Sequence, residues 1–201
     1  RQMCIRDRVY LRFGHSPDAA AWAQRLLGAV TVVLIFFLAR RIFGKRAGWF
    51  AGVGAAGCPV FLFYEGEILA ETLVLCLNVA TMCLLVKAGK QKTPGWWALC
   101  GLGLGLCCLG RPNALLLLPF AAFWAGAVVR NGLRGRILAA VMVAGVATAT
   151  IAPATILNHV VGGQFHLVSY SGGFNAYIGN APDAIGIFCT PPSMQRIRDR
   201  E

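Results

Sequence analysis

Long apolar runs that end at clusters of lysine and arginine are the feature that most restricts how this chain can fold. Six runs can be distinguished, and they cover residues 20–39, 47–64, 68–86, 95–109, 114–129 and 137–157. A bilayer offers no water to the backbone, so apolar runs of about 20 residues predict membrane-spanning helices. Only 13% of the residues are charged, whereas a soluble domain carries about 25%. The sequence therefore predicts an all-α integral membrane protein with about six transmembrane helices.

The basic clusters predict the orientation of these helices. Residues 40–46, 87–92 and 130–136 together contain ten Lys or Arg residues and no Asp or Glu. Because cytoplasmic loops are enriched in Lys and Arg, the three segments are predicted to face the cytoplasm. Topology therefore accounts for the net charge of +11. Nucleic acid is not a predicted partner, because short clusters between apolar runs do not form a continuous basic patch.

The fourth and fifth runs are shorter than the others. At 1.5 Å per residue each would reach about 23 Å, compared with about 30 Å for the hydrocarbon core of a bilayer. The alternation of basic loops favours a short hairpin that turns at Arg111, Pro112 and Asn113. One continuous broken helix is the alternative.

The stretch YEGEILAET, residues 64–72, places three carboxylates, Glu65, Glu67 and Glu71, at the predicted extracytoplasmic boundary. Glu67 and Glu71 are spaced i, i+4 and so share a helix face, and Asn78 lies seven residues further along it. Ionised groups in a membrane normally face the bundle interior or a water-filled cavity. The glutamates are therefore either an interfacial cluster or, through Glu65 and Glu67, ligands of a divalent cation.

Arg111 is the second unusual charge, because it is the only Lys or Arg between Lys92 and Arg130. It lies at the same predicted boundary as the glutamates. Its planar guanidinium suits two roles, pairing with Glu71 or holding a phosphate group. Arg25 is an alternative partner for Glu71.

The polar, glycine-rich segment 158–201 is predicted to be an extracytoplasmic loop or the beginning of an outer domain. Within it, QFHLVSY alternates as a β-strand does, and SGG and GNAPD are turn sequences. His159 and His166 are more typical of surface or packed residues than of catalytic ones.

The two ends of the chain are unusual for a natural gene product. Position 1 is not Met, and MCIRDR, residues 3–8, resembles the translated transposon end that is used to fragment DNA for sequencing. Residues 1–8 are therefore interpreted as a scar. We expect the chain to be a fragment with a helical bundle over residues 9–157.

Four stretches carry a resemblance to a known family, and they are FFLARRIFGKRAGWFAG, CPVFLFYEGEILAETLVLCLN, GLGLGLCCLGRPNALLLLPF and SYSGGFNAYIGNAPDA. In this order they resemble multi-spanning bacterial glycosyltransferases of the dolichyl-phosphate-mannose protein mannosyltransferase-like class. That class has the GT-C fold and includes the lipid A aminoarabinose transferases. The resemblance extends over residues 10–186.

The resemblance implies a multi-pass enzyme of the bacterial inner membrane. Such an enzyme moves a sugar from a polyprenyl-phosphate carrier to a glycan, lipid or protein acceptor on the outer face. It needs a carboxylate to deprotonate the acceptor and cationic groups to hold the leaving phosphate. In the family the principal acid is an Asp in the first outer loop, which we expect to lie outside this sequence. Asp18 is interpreted as a helix cap.

The same resemblance implies roles for five residues of this chain. Glu65 and Glu67 match a second acidic motif that some members use near the metal or acceptor. Arg111 lies where a contact to lipid phosphate is useful. Asn175 and Asn180 belong to a loop that covers the cavity in relatives. The resemblance leaves open whether the enzyme uses a divalent cation as a cofactor.

Two other functions stay open. A secondary transporter would use Glu67, Glu71 and Arg111 as an ion relay, but these residues cluster at one predicted surface and no inverted repeat is visible. A non-catalytic subunit of a polysaccharide pathway, such as a flippase or a scaffold, would share the topology. We also expect the 201-residue chain alone to be inactive and poorly stable in detergent.

Overall fold

A computed structural model describes residues 17–66, 71–91, 93–129, 132–163, 165–168, 178 and 180. Side chains at 17–20, 62, 64–66 and 162 are outside this description. The regular elements are α1 (Pro17–Phe43), α2 (Lys45–Ala56), α3 (Pro59–Gly66), α4 (Glu71–Ala88), α5 (Pro94–Gly110), a 3₁₀ helix (Pro112–Leu116), α6 (Leu117–Val128) and α7 (Gly132–Gly162). The prediction of an all-α protein is confirmed for these residues.

Three helices in the described part of the chain are long and apolar enough to cross a membrane. They are Ala21–Phe43, Glu71–Ala88 and Gly132–Val161. Two further apolar helices, Pro94–Gly110 and Pro112–Val128, are shorter. Apolar helices of this length support a membrane protein, while the count of six spans stays a prediction.

The chain divides into two compact units, Arg1–Ile151 and Ala152–Glu201. The first unit holds the helices α1 to α6 and most of α7. The second holds the end of α7 and the segment that follows it. The predicted domain boundaries at residues 8 and 157 stay predictions.

Helices α1 and α2 form a tight antiparallel hairpin that turns at a single residue, Gly44. The φ angle of Gly44 is 98°, a left-handed value that glycine adopts without strain. A Cβ atom on Gly48 would lie 2.8 Å from the Arg40 Cβ, and one on Gly52 would lie 3.2 Å from the Phe36 Cβ. The small residues therefore allow the two helices to approach closely.

The second predicted run, residues 47–64, is not one continuous helix. Helix α2 ends at Ala56, and α3 begins at Pro59. Proline has no backbone N–H and disfavours a helical conformation at the residue before it. The backbone N–H of Cys58 turns instead to the Ala55 carbonyl at 3.3 Å. Pro59 is thus the physical reason for the division.

Helices α4 and α5 are antiparallel, and their contacts run in opposite directions along the two sequences. A Cβ atom on Gly103 would lie 2.5 Å from Thr81 Oγ1, and one on Gly110 would lie 2.6 Å from Val74 Cγ2. Helix α1 runs parallel to α4, since Thr31 lines one cavity with Thr72 and, further along both helices, the Cys83 thiol lies 3.7 Å from the Leu34 carbonyl oxygen.

Helices α5 and α6 form the hairpin that was predicted at Arg111. Trp97, near the start of α5, and Val128, at the end of α6, line the same cavity. In one continuous helix these residues would be about 46 Å apart. Helix α7 then runs parallel to α5, because a Cβ atom on Gly101 would lie 2.6 Å from the Val143 carbonyl oxygen and one on Gly105 would lie 3.0 Å from that of Ala147.

The alternating helix directions give the first unit two chemically different ends. One end carries residues 40–46, 87–91 and 132–136 and is called the basic end below. The opposite end carries Glu71 and Arg111 and is called the Glu71 end.

The core of the first unit is built from small and sulfur-containing side chains. Cys76, Cys100, Cys107 and Cys108 are buried free thiols. Cys100 belongs to the main buried cluster, which also contains Ala88, Trp97, Leu104, Ala121, Ala125, Ala139, Val143 and Ala147. Small side chains let apolar helices pack closely where lipid offers no hydrophobic driving force.

The predicted strand QFHLVSY is wrong over the described residues 165–168, which are irregular. The Thr155 hydroxyl donates to the Leu167 carbonyl at 2.6 Å. The Asn158 amide donates to the carbonyls of His166 and Val168 at 3.2 and 3.1 Å. Side chains at the end of α7 thus bind three consecutive carbonyl groups that a strand would present to a partner strand.

Candidate functional site

An ion pair between Glu71 and Arg111 is the centre of the Glu71 end. Arg111 Nη2 contacts Glu71 Oε1. The Glu71 side chain is 25% exposed and that of Arg111 is 53% exposed. The structure therefore contains the predicted ion pair between Glu71 and Arg111. The alternative partner, Arg25, lies instead over the Trp22 ring, 5.2 Å from its centroid.

Helix ends place these two charges side by side. Glu71 is the first residue of α4, and Arg111 directly follows the last residue of α5. Because α4 and α5 are antiparallel, the start of one helix lies beside the end of the other. A carboxylate is favoured at a helix N-terminus and a cation at a C-terminus. The helix dipoles therefore favour both charges at the positions that bring them together.

Local backbone chemistry fixes where Arg111 leaves α5. Its φ and ψ angles are −142° and 111°, an extended conformation that the following Pro112 enforces. The Arg111 N–H still donates to the Cys107 carbonyl at 2.8 Å, and the Arg111 carbonyl accepts from Ala114 at 2.9 Å. Arg111 thus closes α5 and opens the 3₁₀ helix, and its backbone is held by hydrogen bonds on both sides.

A cavity of about 220 Å³ adjoins Glu71. Its lining comes from three helices, α1, α3 and the start of α4, and consists of Gly28, Thr31, Val60, Phe61, Glu71, Thr72 and Leu75. The walls are mainly apolar, so the Glu71 carboxylate is the one charged group in this lining. The volume is smaller than that of a usual ligand pocket of about 300–1,000 Å³, so the cavity is suited to part of a ligand.

The cavity wall includes two positions of α1, Gly28 and Thr31, that the sequence analysis missed, and Gln24 lies on the same helix face. Gln24, Gly28 and Thr31 are buried and occur at i, i+4 and i+7, on one face of α1. The Thr31 hydroxyl donates to the Leu27 carbonyl at 2.7 Å. This spacing of polar and small residues within an apolar run was the available signal.

The other candidates near Glu71 are placed as follows. Asn78 is turned to its own helix, where its amide donates to the Val74 carbonyl at 2.9 Å. Glu65 lies in α3, although its side chain is outside the described part, and Glu67 is outside the described residues. Asp18 is the second residue of α1, in its first turn. The predicted pairing of Glu67 and Glu71 on one helix face stays a prediction.

A divalent-cation site is not formed by the described side chains. No group of three or more His, Cys, Asp or Glu residues suitable for a metal occurs among them. Among the described side chains at the Glu71 end, the carboxylate is that of Glu71. One of its oxygens already contacts Arg111. The cation that Glu65 and Glu67 could bind therefore stays a prediction.

The candidates of the C-terminal segment belong to the second unit. Asn175 lies outside the described residues, and Asn180 is an exposed residue. His159 is an exposed residue in the last turn of α7, and His166 is half-buried. The covering role of Asn175 and Asn180 stays a prediction.

Comparison with known proteins gives one finding. The family model described as dolichyl-phosphate-mannose-protein mannosyltransferase matches residues 8–157. No curated protein and no solved structure matched the chain significantly. The matched region contains all of helices α1 to α6 and both partners of the ion pair. The chain therefore belongs to the dolichyl-phosphate-mannose-protein mannosyltransferase family of GT-C-type membrane glycosyltransferases.

Proposed function

We propose that the protein transfers a sugar from a polyprenyl-phosphate carrier to an acceptor on the extracytoplasmic side of a bacterial inner membrane. Family membership supports glycosyl transfer in a membrane. The observation that carries the finer proposal is the separation of charges between the two ends of the first unit. The basic segments occupy one end and the Glu71–Arg111 pair occupies the other. The positive-inside rule then assigns the Glu71 end to the outer side.

Arg111 is the group that we assign to the phosphate of the lipid carrier. A guanidinium has five N–H donors, and the pair with Glu71 engages Nη2. The side chain is half-exposed at the end of the bundle, where a carrier phosphate at the membrane surface can reach it. When the bond between the sugar and the phosphate breaks, charge develops on the leaving phosphate. A guanidinium already in position stabilises that charge.

Glu71 is assigned to positioning. Its carboxylate contacts the Arg111 guanidinium and lines the apolar cavity. It therefore orients the cation next to a space that can accept part of a ligand. Glu65 and Glu67 precede α4 by a few residues. We propose that these two carboxylates serve the acceptor or a cation, as the family resemblance implies.

A donor comparison tests the proposed function. Membrane vesicles that contain the product of the complete open reading frame are given radiolabelled polyprenyl-phosphate mannose, polyprenyl-phosphate aminoarabinose or the corresponding nucleotide sugars. We expect label to pass to a membrane acceptor from a lipid-linked donor, with release of polyprenyl phosphate. Lys45→Ala, at the basic end, serves as the control variant and should retain transfer. Transfer from a nucleotide sugar alone would contradict the proposal.

A further inference from the structure

A second, larger cavity lies at the basic end, and the proposed sugar transfer does not use it. Its volume is about 620 Å³, which falls within the usual range for ligand pockets. Its walls come from the α4–α5 connection, the start of α5, the end of α6 and the start of α7. The lining includes Lys90, Trp97, Ala127, Val128, Val129 and Leu138.

The charge around this cavity is positive. Lys90 belongs to the lining, which contains no Asp or Glu. The Arg136 Nε donates to the carbonyl of Val129, a lining residue, at 3.1 Å, so a guanidinium lies next to the lining although Arg136 is not part of it. In the sequence, residues 87–92 and 130–136 contribute six Lys or Arg and no acid. An anion at this position would therefore meet cations without a competing carboxylate.

Lys87 and Lys90 have different surroundings, although they are three residues apart. The Lys87 ammonium lies 3.8 Å from the centroid of the Trp96 ring, a cation–π contact. Lys90 is an exposed residue of the cavity lining. Of the two described lysines of this segment, Lys90 is thus the one that is available to a ligand in the cavity.

Part of the cavity wall is apolar. Trp97 is almost completely buried and forms part of this wall together with Val128 and Leu138. On the same stretch of α7, Leu133 is 72% and Ile137 is 53% exposed, so the start of this helix has exposed apolar side chains. A ligand that satisfies both the basic and the apolar part of the wall has an anionic group and an apolar part. That chemistry is amphiphilic and differs from that of a free inorganic anion.

We propose that this cavity binds the phosphate-bearing headgroup of an anionic phospholipid, with the phosphate at Lys90 and the adjoining chains along α7. Basic pockets between membrane helices are suited to anionic headgroups. This site lies at the end opposite Glu71 and Arg111. It is therefore separate from the proposed carrier-phosphate site and binds a lipid that is not consumed.

Lipid retention tests the proposal. The full chain is placed in nanodiscs that contain phosphatidylcholine and phosphatidylglycerol with matched acyl chains, and bound lipid is counted by native mass spectrometry. We expect phosphatidylglycerol to be retained over phosphatidylcholine. Lys90→Ala should weaken this retention about fivefold, the effect of one basic residue near an anionic lipid. Lys45→Ala removes the same charge from the α1–α2 turn, away from the cavity, and should have no effect.

A second variant separates the cavity from its charge. Ala127 is an exposed residue of the lining, so Ala127→Trp fills the space and keeps every lysine. We expect it to abolish the preference for phosphatidylglycerol while circular dichroism shows unchanged helicity. Equal effects of Lys90→Ala and Lys45→Ala, or full retention by Ala127→Trp, would overturn the proposal. Displacement of the lipid by millimolar inorganic phosphate would assign the site to a free anion and would also overturn it.

Discussion

Replacing Arg111 with alanine is expected to lower kcat/KM for transfer from a polyprenyl-phosphate sugar about 100-fold in the complete enzyme, the usual cost of removing one group that stabilises developing charge. The variant removes the guanidinium that we assign to the leaving phosphate. It also leaves the Glu71 carboxylate without the cation that it contacts at the edge of an apolar cavity. The measurement is the initial rate of sugar transfer over a range of donor concentrations.

A charge exchange separates catalysis from folding in this experiment. In the double variant Glu71→Arg, Arg111→Glu, both charges remain and can pair again, but the cation moves to the start of α4. We expect part of the free energy of unfolding lost in Arg111→Ala, about 1 kcal/mol for a pair with a half-exposed partner, to be recovered, because the charges pair again although each now opposes its helix dipole. The rate should stay low. Recovery of both stability and rate would show that Arg111 has only a structural role.

Replacing Gly101 with alanine is expected to lower the free energy of unfolding by about 1–3 kcal/mol, the usual cost of overpacking a core. The new Cβ would lie 2.6 Å from the Val143 carbonyl oxygen and 3.0 Å from the Val146 Cβ. Val143 is completely buried, so α5 and α7 would have to move apart. The measurement is the midpoint of thermal unfolding in lipid nanodiscs.

Gly145→Ala is the matched control for this substitution. It adds the same methyl group to α7, but a Cβ atom on Gly145 has no heavy atom within 4 Å. Alanine is favoured over glycine in a helix interior by about 1 kcal/mol, so this variant should be as stable as the parent or more so. Equal destabilisation by the two variants would show that close packing at Gly101 is not what holds α5 to α7.

The helices and their directions could largely be predicted because both depend on local chemistry. Apolar length predicts a membrane helix, and a cluster such as Arg40 and Arg41 marks the end of one. Pro59 interrupts the second run, and the apolar pattern on both sides concealed this. The strand predicted around His166 does not form, because carbonyl groups of this segment accept hydrogen bonds from side chains of α7. The alternation of apolar and polar residues within the segment gives no information about these contacts.

The charged part of the candidate site was predictable, while its apolar part was not. Glu71 and Arg111 are rare charges in apolar surroundings, which a sequence shows directly. The cavity beside them depends on which face α1 turns to α4. The orientation of α1 places Gly28 and Thr31 in the same cavity lining as Thr72. This orientation depends on packing between helices that are far apart in the sequence.

The position of Arg111 across the membrane from the basic segments is the central claim, and cysteine labelling in intact spheroplasts tests it most directly. Asn113 and Gln91 are exposed residues at the Glu71 end and the basic end, respectively. Each is replaced by cysteine and treated with a membrane-impermeant maleimide, with the parent chain as background. We predict that Asn113→Cys is labelled in intact spheroplasts and that Gln91→Cys is labelled only after permeabilisation. Labelling of Gln91→Cys alone in intact spheroplasts would place Arg111 on the cytoplasmic side and contradict the account.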